Sequence, residues 1–419
     1  MRGITRMGTP EAWWQEAKFG MFIHYGLYSM LAGEYNGNRT DNIAEWIMHD
    51  LDIPREEYRK LAQSFTADEF NLEEIVLLAK RAGMKYVVLT SKHHEGFALY
   101  DSAVSDYTSM RAAPCKRDFV RELKDACQKH GLRFGLYYSQ AQDWDNPDAC
   151  RDGFGPEGKD FDQYLQNKCL PQITELLTNY GQIDLLWLDT PMYMTKEQSE
   201  AIRSLVKRLQ PHCMISGRIG NGLGDYMTTG DNFLPALPYP GAFEVPATIN
   251  NTWGYNAFDT RWKSPKQIVK SLVKIVSRGG NYLLNIGPMG SGKIPEPSIA
   301  VLEAVGQFMQ KNAESIYGTK TLPLYPYDID WGFFTAKKGK LFLHVFEEKE
   351  QAYLLNIANT PVRCYRLSDG LELKLKIRVT CEGDSSWLIN LPPREDDEVD
   401  QVICIELAED DVLFEPIRG

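Results

Sequence analysis

The chain has 419 residues, of which 43% are hydrophobic and 25% charged, and its formal net charge is −11 at pH 7. That length carries one large domain and a smaller one, with the composition of a soluble globular protein. The acidic balance argues against nucleic acid or an anionic membrane as the partner, because phosphate groups select clustered Lys and Arg.

No run reaches the roughly 18 apolar residues of a membrane span. The opening MRGITRMGTPEAWWQEAKFG lacks the apolar core of a secretory leader, so a cytoplasmic location is expected unless a leader has been removed. The 8 cysteines, at 115, 127, 150, 169, 213, 364, 381 and 404, form no CxxC pair and no metal-ligand spacing. They read as free thiols.

From Phe19 to about Gly318, short apolar runs alternate with amphipathic segments. The runs are FGMFIH (19–24), YVVLTSKHH (86–94), RFGLYYS (133–139), IDLLWLDT (183–190), MISGR (214–218), AFEVPATI (242–249) and NYLLNIG (281–287). Their length and their aromatic and β-branched content predict strands buried on both faces. Between them, NLEEIVLLAKRAG (71–83), DFVRELKDACQKHG (118–131), SPKQIVKSLVKIVSRGG (264–280) and PSIAVLEAVGQFMQKN (297–312) have helical periodicity. Repeated β-then-α units imply a parallel sheet, and their number favours a (β/α)8-type barrel over residues 1–320. After about Leu322 the grammar changes. KLFLHVF (340–346), AYLLNIA (352–358), LELKLKIRV (371–379), SWLINLP (386–392) and QVICIEL (401–407) predict a small all-β sandwich over residues 321–419.

Barrel active sites are built at the C-terminal ends of the strands. The last residues of the predicted strands are His24, His93, His94, Tyr138, Asp189, Arg218, Glu244 and Asn285. Polar groups gathered at one rim suit a polar small molecule. Asp189, ending an apolar run, is a candidate nucleophile, base or metal ligand, against the plainer reading of a helix cap. His93 and His94 are expected on opposite faces of their strand. Glu244 is the favoured second carboxylate, ahead of Asp231, Glu34, Glu45 and Glu95, and two carboxylates are the minimum equipment for glycoside hydrolysis. Trp253, Trp46, Tyr25 and Phe243 are candidate platforms for a sugar's apolar face, with core packing the default for any one of them.

Two other readings compete. A metal-dependent barrel hydrolase could use the histidines, although the first strand offers only His24 where an HxH pair is usual. The segment GGNYLLNIGPMGSGKIPEP (279–297) contains Gly287-x-x-x-x-Gly292-Lys293, close to a phosphate-binding loop. That loop needs Ser or Thr after the lysine and a helix there. Ile294 offers no metal ligand, and Pro295 pushes it away from helical geometry.

With these motifs in view, the chain resembles the α-L-fucosidases of glycoside hydrolase family 29. The likeness runs through WWQEAKFGMFIHYGLYS (13–29), EWIMHD (45–50), YVVLTSKHHEGFALYDS (86–102), GLYYSQAQDW (135–144), DLLWLDT (184–190), TWGY (252–255) and GGNYLLNIGPMGSGKIP (279–295). The resemblance implies that Asp189 is the nucleophile of a retaining double displacement and that Glu244 is the acid/base. It also implies that His24, His93, His94 and Tyr138 bind fucose hydroxyls, that Trp46 lines the pocket, that Arg218 lies near the nucleophile, and that Trp253 faces the sugar's methyl group. Departures are His-Tyr-Gly for the usual His-Trp-Gly, Thr190 after the nucleophile where glycine is common, and GRIGNG in place of an Asn-Asp-Arg run. The implied partner is a fucosylated oligosaccharide or glycoconjugate, with no cofactor, no nucleic acid and no membrane. A homo-oligomer is compatible with the sequence, and a non-catalytic fucose-binding relative is the remaining alternative.

Overall fold

The computed structural model describes residues 10–150, 158–322, 329–379, 385–395 and 398–415. Its larger part is an eight-stranded parallel sheet. The strands are β1 (Phe19–Ile23), β2 (Tyr86–Lys92), β3 (Arg133–Ser139), β4 (Leu185–Asp189), β5 (Met214–Ile215), β6 (Met227–Thr228), β7 (Phe243–Thr248) and β8 (Asn281–Ile286). Their spatial order is 5-4-3-2-1-8-7-6, so the first strand pairs with the last and the sheet curls into a barrel.

The seam between β5 and β6 is closed by loops, not by a ladder. Asp225 N–H donates to Ile215 O at 2.8 Å. A Cβ on Gly217 would lie 2.8 Å from Tyr226 O, so glycine is what lets the chain approach there. Seven of the eight strands are those expected; β6 has two half-buried residues and so lies in no apolar run.

The main covering helices are α1 (Leu72–Arg81), α2 (Phe119–His130), α3 (Leu170–Asn179), α4 (Lys196–Leu209), α5 (Pro265–Ser277) and α6 (Glu296–Asn312). Local chemistry sets their ends. Thr195 with Gln198, and Ser264 with Gln267, form capping boxes at the starts of α4 and α5, and Gly131 ends α2 at φ 73°. The phosphate-loop look-alike is the exit from β8 into α6. Gly287 packs where a Cβ would be 2.5 Å from Trp253 O. Its glycine serves close backbone approach.

The C-terminal part holds two antiparallel sheets around a core that includes Trp331, Leu343, Trp387 and Ile405. One contains Gly332–Lys337, Lys340–Val345, Gln401–Leu407 and Pro361–Arg366; the other contains Gln351–Leu355, Ser385–Asn390 and Leu375–Val379. The first and fourth of these were not legible as strands. In the 371–379 segment the ladder begins only at Leu375, and Ile377 and Val379 are exposed at the sheet edge.

Candidate active site

Strand parity decides which side chains enter the barrel. On β3, Tyr137 points inward and packs with Phe22 and Trp187. Tyr138 points outward, where its hydroxyl donates to Gln172 Oε1 at 2.9 Å and its ring lies under Lys92. The sequence assignment of Tyr138 to the pocket is therefore corrected by one residue, because adjacent strand residues face opposite ways.

A small pocket of about 40 Å³ opens at the C-terminal end of the strands. His24, His93, His94, Tyr137, Asp189 and Arg218 meet there, with Trp46, Trp187 and Trp253 as walls. Asp231 and Glu45 complete the polar lining. His93 and His94 both face the pocket, their ring centroids 4.0 Å apart. They lie just past the end of β2, beyond an irregularity in its ladder between Thr90 and Lys92, so strand alternation no longer separates them.

Asp189 ends β4. Its Oδ2 accepts from the Tyr137 hydroxyl at 2.9 Å and its Oδ1 from Arg218 Nη1 at 3.1 Å. Burial alone would raise its pKa; the Arg218 charge, His94 and these two hydrogen bonds outweigh burial and hold it below the ordinary carboxylate value. Arg218 lies over the Trp187 ring, and its other terminal nitrogen is bonded to Asp231. One guanidinium thus grips two carboxylates. The Asp231 side chain is 42% exposed, at the mouth.

The histidine tautomers follow from their partners. Asn285 Nδ2 donates to Trp253 O at 2.7 Å, so its Oδ1, 2.7 Å from His24 Nδ1, must accept. The Ser139 hydroxyl donates to Gln142 O at 2.8 Å, so its oxygen accepts from His94 Nδ1 at 2.7 Å. Both rings present a free Nε2 lone pair. Burial keeps them neutral, pulling His24 down to about 3 and His94 to about 4. His93 is likewise held well below its usual value, and its Nδ1 has no partner among the described residues.

Glu244 is not in this pocket. It lies near the start of β7, level with Asn281 at the start of β8 and so at the opposite end of the barrel. There it is fully buried and accepts from Tyr86 OH at 2.6 Å, Trp187 Nε1 at 2.8 Å and Tyr226 OH at 3.2 Å. The carboxylates near Asp189 are instead Asp231 and Glu45. Burial pushes Glu45 up to about 7, against hydrogen bonds that include Gly254 N–H at 2.9 Å. Glu95 is buried as a brace for Leu27 N, Tyr28 N and Tyr58 OH, and Glu34 pairs with Arg39 in an exposed hairpin. Tyr25 and Phe243 are core residues: Tyr25 packs 4.0 Å from Phe70, and Phe243 sits against Gly280.

The family model of alpha-L-fucosidase matches residues 5–314. The chain belongs to the alpha-L-fucosidase family. It is therefore a glycoside hydrolase by descent. Human tissue alpha-L-fucosidase is 30% identical over 408 residues, covering 91% of this chain and 85% of that protein. The alpha-L-fucosidase of Vibrio sp. strain EJY3 superposes with a TM-score of 0.90 at 34% identity, covering 96% of this chain and 73% of that one. Alpha-L-fucosidase AlfC from Lactobacillus casei, solved with its alpha-L-fucose product, gives 0.69 at 40% identity, over 72% of this chain and 98% of that one.

Tyr137 was hidden by parity, and Asp231, ranked behind Glu244 in the sequence, lies in a loop after the two-residue strand β6. The metal reading finds no donor set: among the described residues there is no group of three or more His, Cys, Asp or Glu arranged to hold an ion.

Proposed function

We propose that the chain is an exo-acting, retaining α-L-fucosidase that releases terminal α-L-fucosyl residues through a covalent fucosyl-enzyme intermediate. The observation that carries this reading is an ionised carboxylate, Asp189, held by Arg218 and Tyr137 in a pocket whose other deep polar groups are neutral histidines. A 6-deoxy sugar offers hydroxyl donors and one methyl group. The Nε2 atoms of His24 and His94 accept from two hydroxyls, and Trp46 and Trp253 supply apolar wall.

Asp189 attacks the anomeric carbon as the bond to the leaving oxygen breaks, and Asp231 gives that oxygen its proton. Asp231 then takes a proton from water, which attacks the same carbon and frees Asp189. Arg218 contacts both carboxylates, so one guanidinium links the attacking group to the proton donor. Glu45 is the second reading for the acid, because burial pushes it up to about 7, the range of a proton donor at neutral pH.

The test is proton NMR of an aryl α-L-fucoside during the first minutes of hydrolysis. α-L-fucose should form first, and added methanol should be captured as methyl α-L-fucoside. If β-L-fucose forms first, the double displacement is wrong; if no fucoside is hydrolysed, the substrate is wrong.

A second expectation concerns the tautomer lock on His24. Asn285→Ala removes the acceptor of its Nδ1–H, and a buried donor left unpaired costs about 1–3 kcal/mol. The expected loss in kcat/KM for the aryl fucoside is about 5- to 150-fold. Wild-type kinetics in this variant would show that the ring needs no such lock.

A further inference from the structure

Two large aromatic side chains stand out in solvent on the loops that carry the two carboxylates. Tyr193 and Phe233 are each 59% exposed. Tyr193 lies four residues after Asp189, and Phe233 two residues after Asp231, both beyond the C-terminal ends of barrel strands. Asp189 and Asp231 both line the pocket, so each aromatic stands on a loop that leaves the pocket rim.

The loops that display them are built, not slack. After Asp189 the backbone takes left-handed conformations at Thr190 (φ 48°) and Met192 (φ 40°), which non-glycine residues adopt only when their surroundings impose it. A turn closed by Met194 N–H to Pro191 O at 2.8 Å encloses Met192 and Tyr193, and Asn221 Nδ2 ties Met194 O at 3.2 Å. On the other side Asn232 is again left-handed, at φ 57°. Its N–H donates to Pro246 O at 2.9 Å, and its Oδ1 accepts from Thr248 N and from Lys263 Nζ, both at 3.0 Å. Backbone held in this way presents the next residue, Phe233, to solvent at the mouth.

We propose that Tyr193 and Phe233 form the leaving-group subsite, each offering a ring face to a pyranose of the aglycone. Exposed aromatic faces beside a carbohydrate pocket suit the apolar C–H face of a sugar ring, and they cost little conformational entropy on binding because each has two rotatable side-chain bonds. The leaving group departs on the side of the exposed carboxylate Asp231, which Phe233 follows by two residues on the same loop. This inference rests on the fucosidase reading above.

The experiment compares α-L-fucosyl fluoride, whose leaving group has no ring, with fucosyl disaccharides in α1,2, α1,3, α1,4 and α1,6 linkage. Tyr193→Ala and Phe233→Ala should each lower kcat/KM for the best-cleaved disaccharide by about 3- to 10-fold, while kcat/KM for the fluoride changes less than about twofold. Tyr193→Phe and Phe233→Tyr, which keep the rings, should stay close to wild type on both substrates. Equal losses on fluoride and disaccharide overturn the proposal, as does no loss on either. A wild type that cleaves the fluoride but none of the disaccharides overturns it too. If the fluoride itself is not hydrolysed, the fucosidase reading has failed and the subsite falls with it.

Discussion

Asp189→Ala should lower kcat/KM for an aryl α-L-fucoside by about 10⁴-fold or more, since the variant lacks the group that forms the new bond. Sodium azide should restore turnover and appear in the product as β-L-fucosyl azide, because a small anion entering the vacated space attacks from the nucleophile's face and inverts the centre. Asp231→Ala should fail differently. With a leaving group that needs no proton, the first step survives and the fucosyl-enzyme accumulates; with a sugar leaving group, the loss should be about 10²–10⁴-fold. Azide then intercepts the intermediate and gives α-L-fucosyl azide, with retained configuration. If Glu45→Ala gives the retained azide and Asp231→Ala does not, the acid/base is Glu45.

The pH profile carries the same assignment. Asp189 is held below the ordinary carboxylate value, so its ionised form persists as pH falls, and the acidic limb of kcat/KM should lie low. Arg218→Met should remove the charge that does this. With burial left to act, the Asp189 pKa should rise and the acidic limb move to higher pH, on top of a fall in the maximum rate. An acidic limb unmoved by Arg218→Met would mean that it reports some other group.

What was legible in the sequence follows from the length of each element and from its period. Seven barrel strands announced themselves because a strand buried on both faces is a run of apolar residues. β6 did not, because Met227 and Thr228 are only half-buried and sit in no apolar run. The pair Tyr137 and Tyr138 illustrates the limit of a different kind. Both sit at the end of β3, and only the register of that strand against β2 and β4 says which one faces Asp189. The pocket's wall residues Trp46 and Trp253 and the histidines were accessible through motif resemblance, whereas Asp231, in the loop of residues 229–242, could be named only as one of several rival carboxylates because neither periodicity nor motif ranks them. Buried charge was also invisible. Lys92, adjacent to the histidine pair, is fully buried and reaches Asp143 Oδ2 at 3.0 Å, which Lys168 also contacts at 2.8 Å. Asp143 precedes Trp144, whose N–H donates to His94 O at 2.6 Å. The ion cluster thus braces the outer side of the segment that carries His94.

Glu244 is where sequence and structure part most sharply, and the difference predicts how a variant fails. A carboxylate on a late barrel strand satisfies the rule that such strands carry catalytic groups, but the rule applies to the strand's C-terminal end, and Glu244 stands near the start of β7. There its two oxygens accept three buried donors, Tyr86 OH, Trp187 Nε1 and Tyr226 OH. Glu244→Ala strands all three in the barrel floor, and each orphaned donor costs about 1–3 kcal/mol. The expected loss of stability is about 3–9 kcal/mol, a large part of the roughly 5–15 kcal/mol that holds a native fold. Equilibrium denaturation should report it as a lower midpoint.

Burial pushes the Glu244 carboxyl up to about 7, against the hydrogen bonds from Tyr86, Trp187 and Tyr226, from an ordinary value of 4.5. Folding therefore favours its protonated form. The associated stability is full below about pH 4.5 and is lost as pH rises through about 7. Glu244→Gln, which cannot ionise, should lose less stability than wild type over that interval, even if its absolute stability is lower. Azide separates the structural role from the catalytic one. A Glu244→Ala protein that remains folded and yields α-L-fucosyl azide would return Glu244 to the chemistry, whereas loss of stability with no azide product keeps it in the barrel floor, holding Trp187 beneath Arg218 and Asp189.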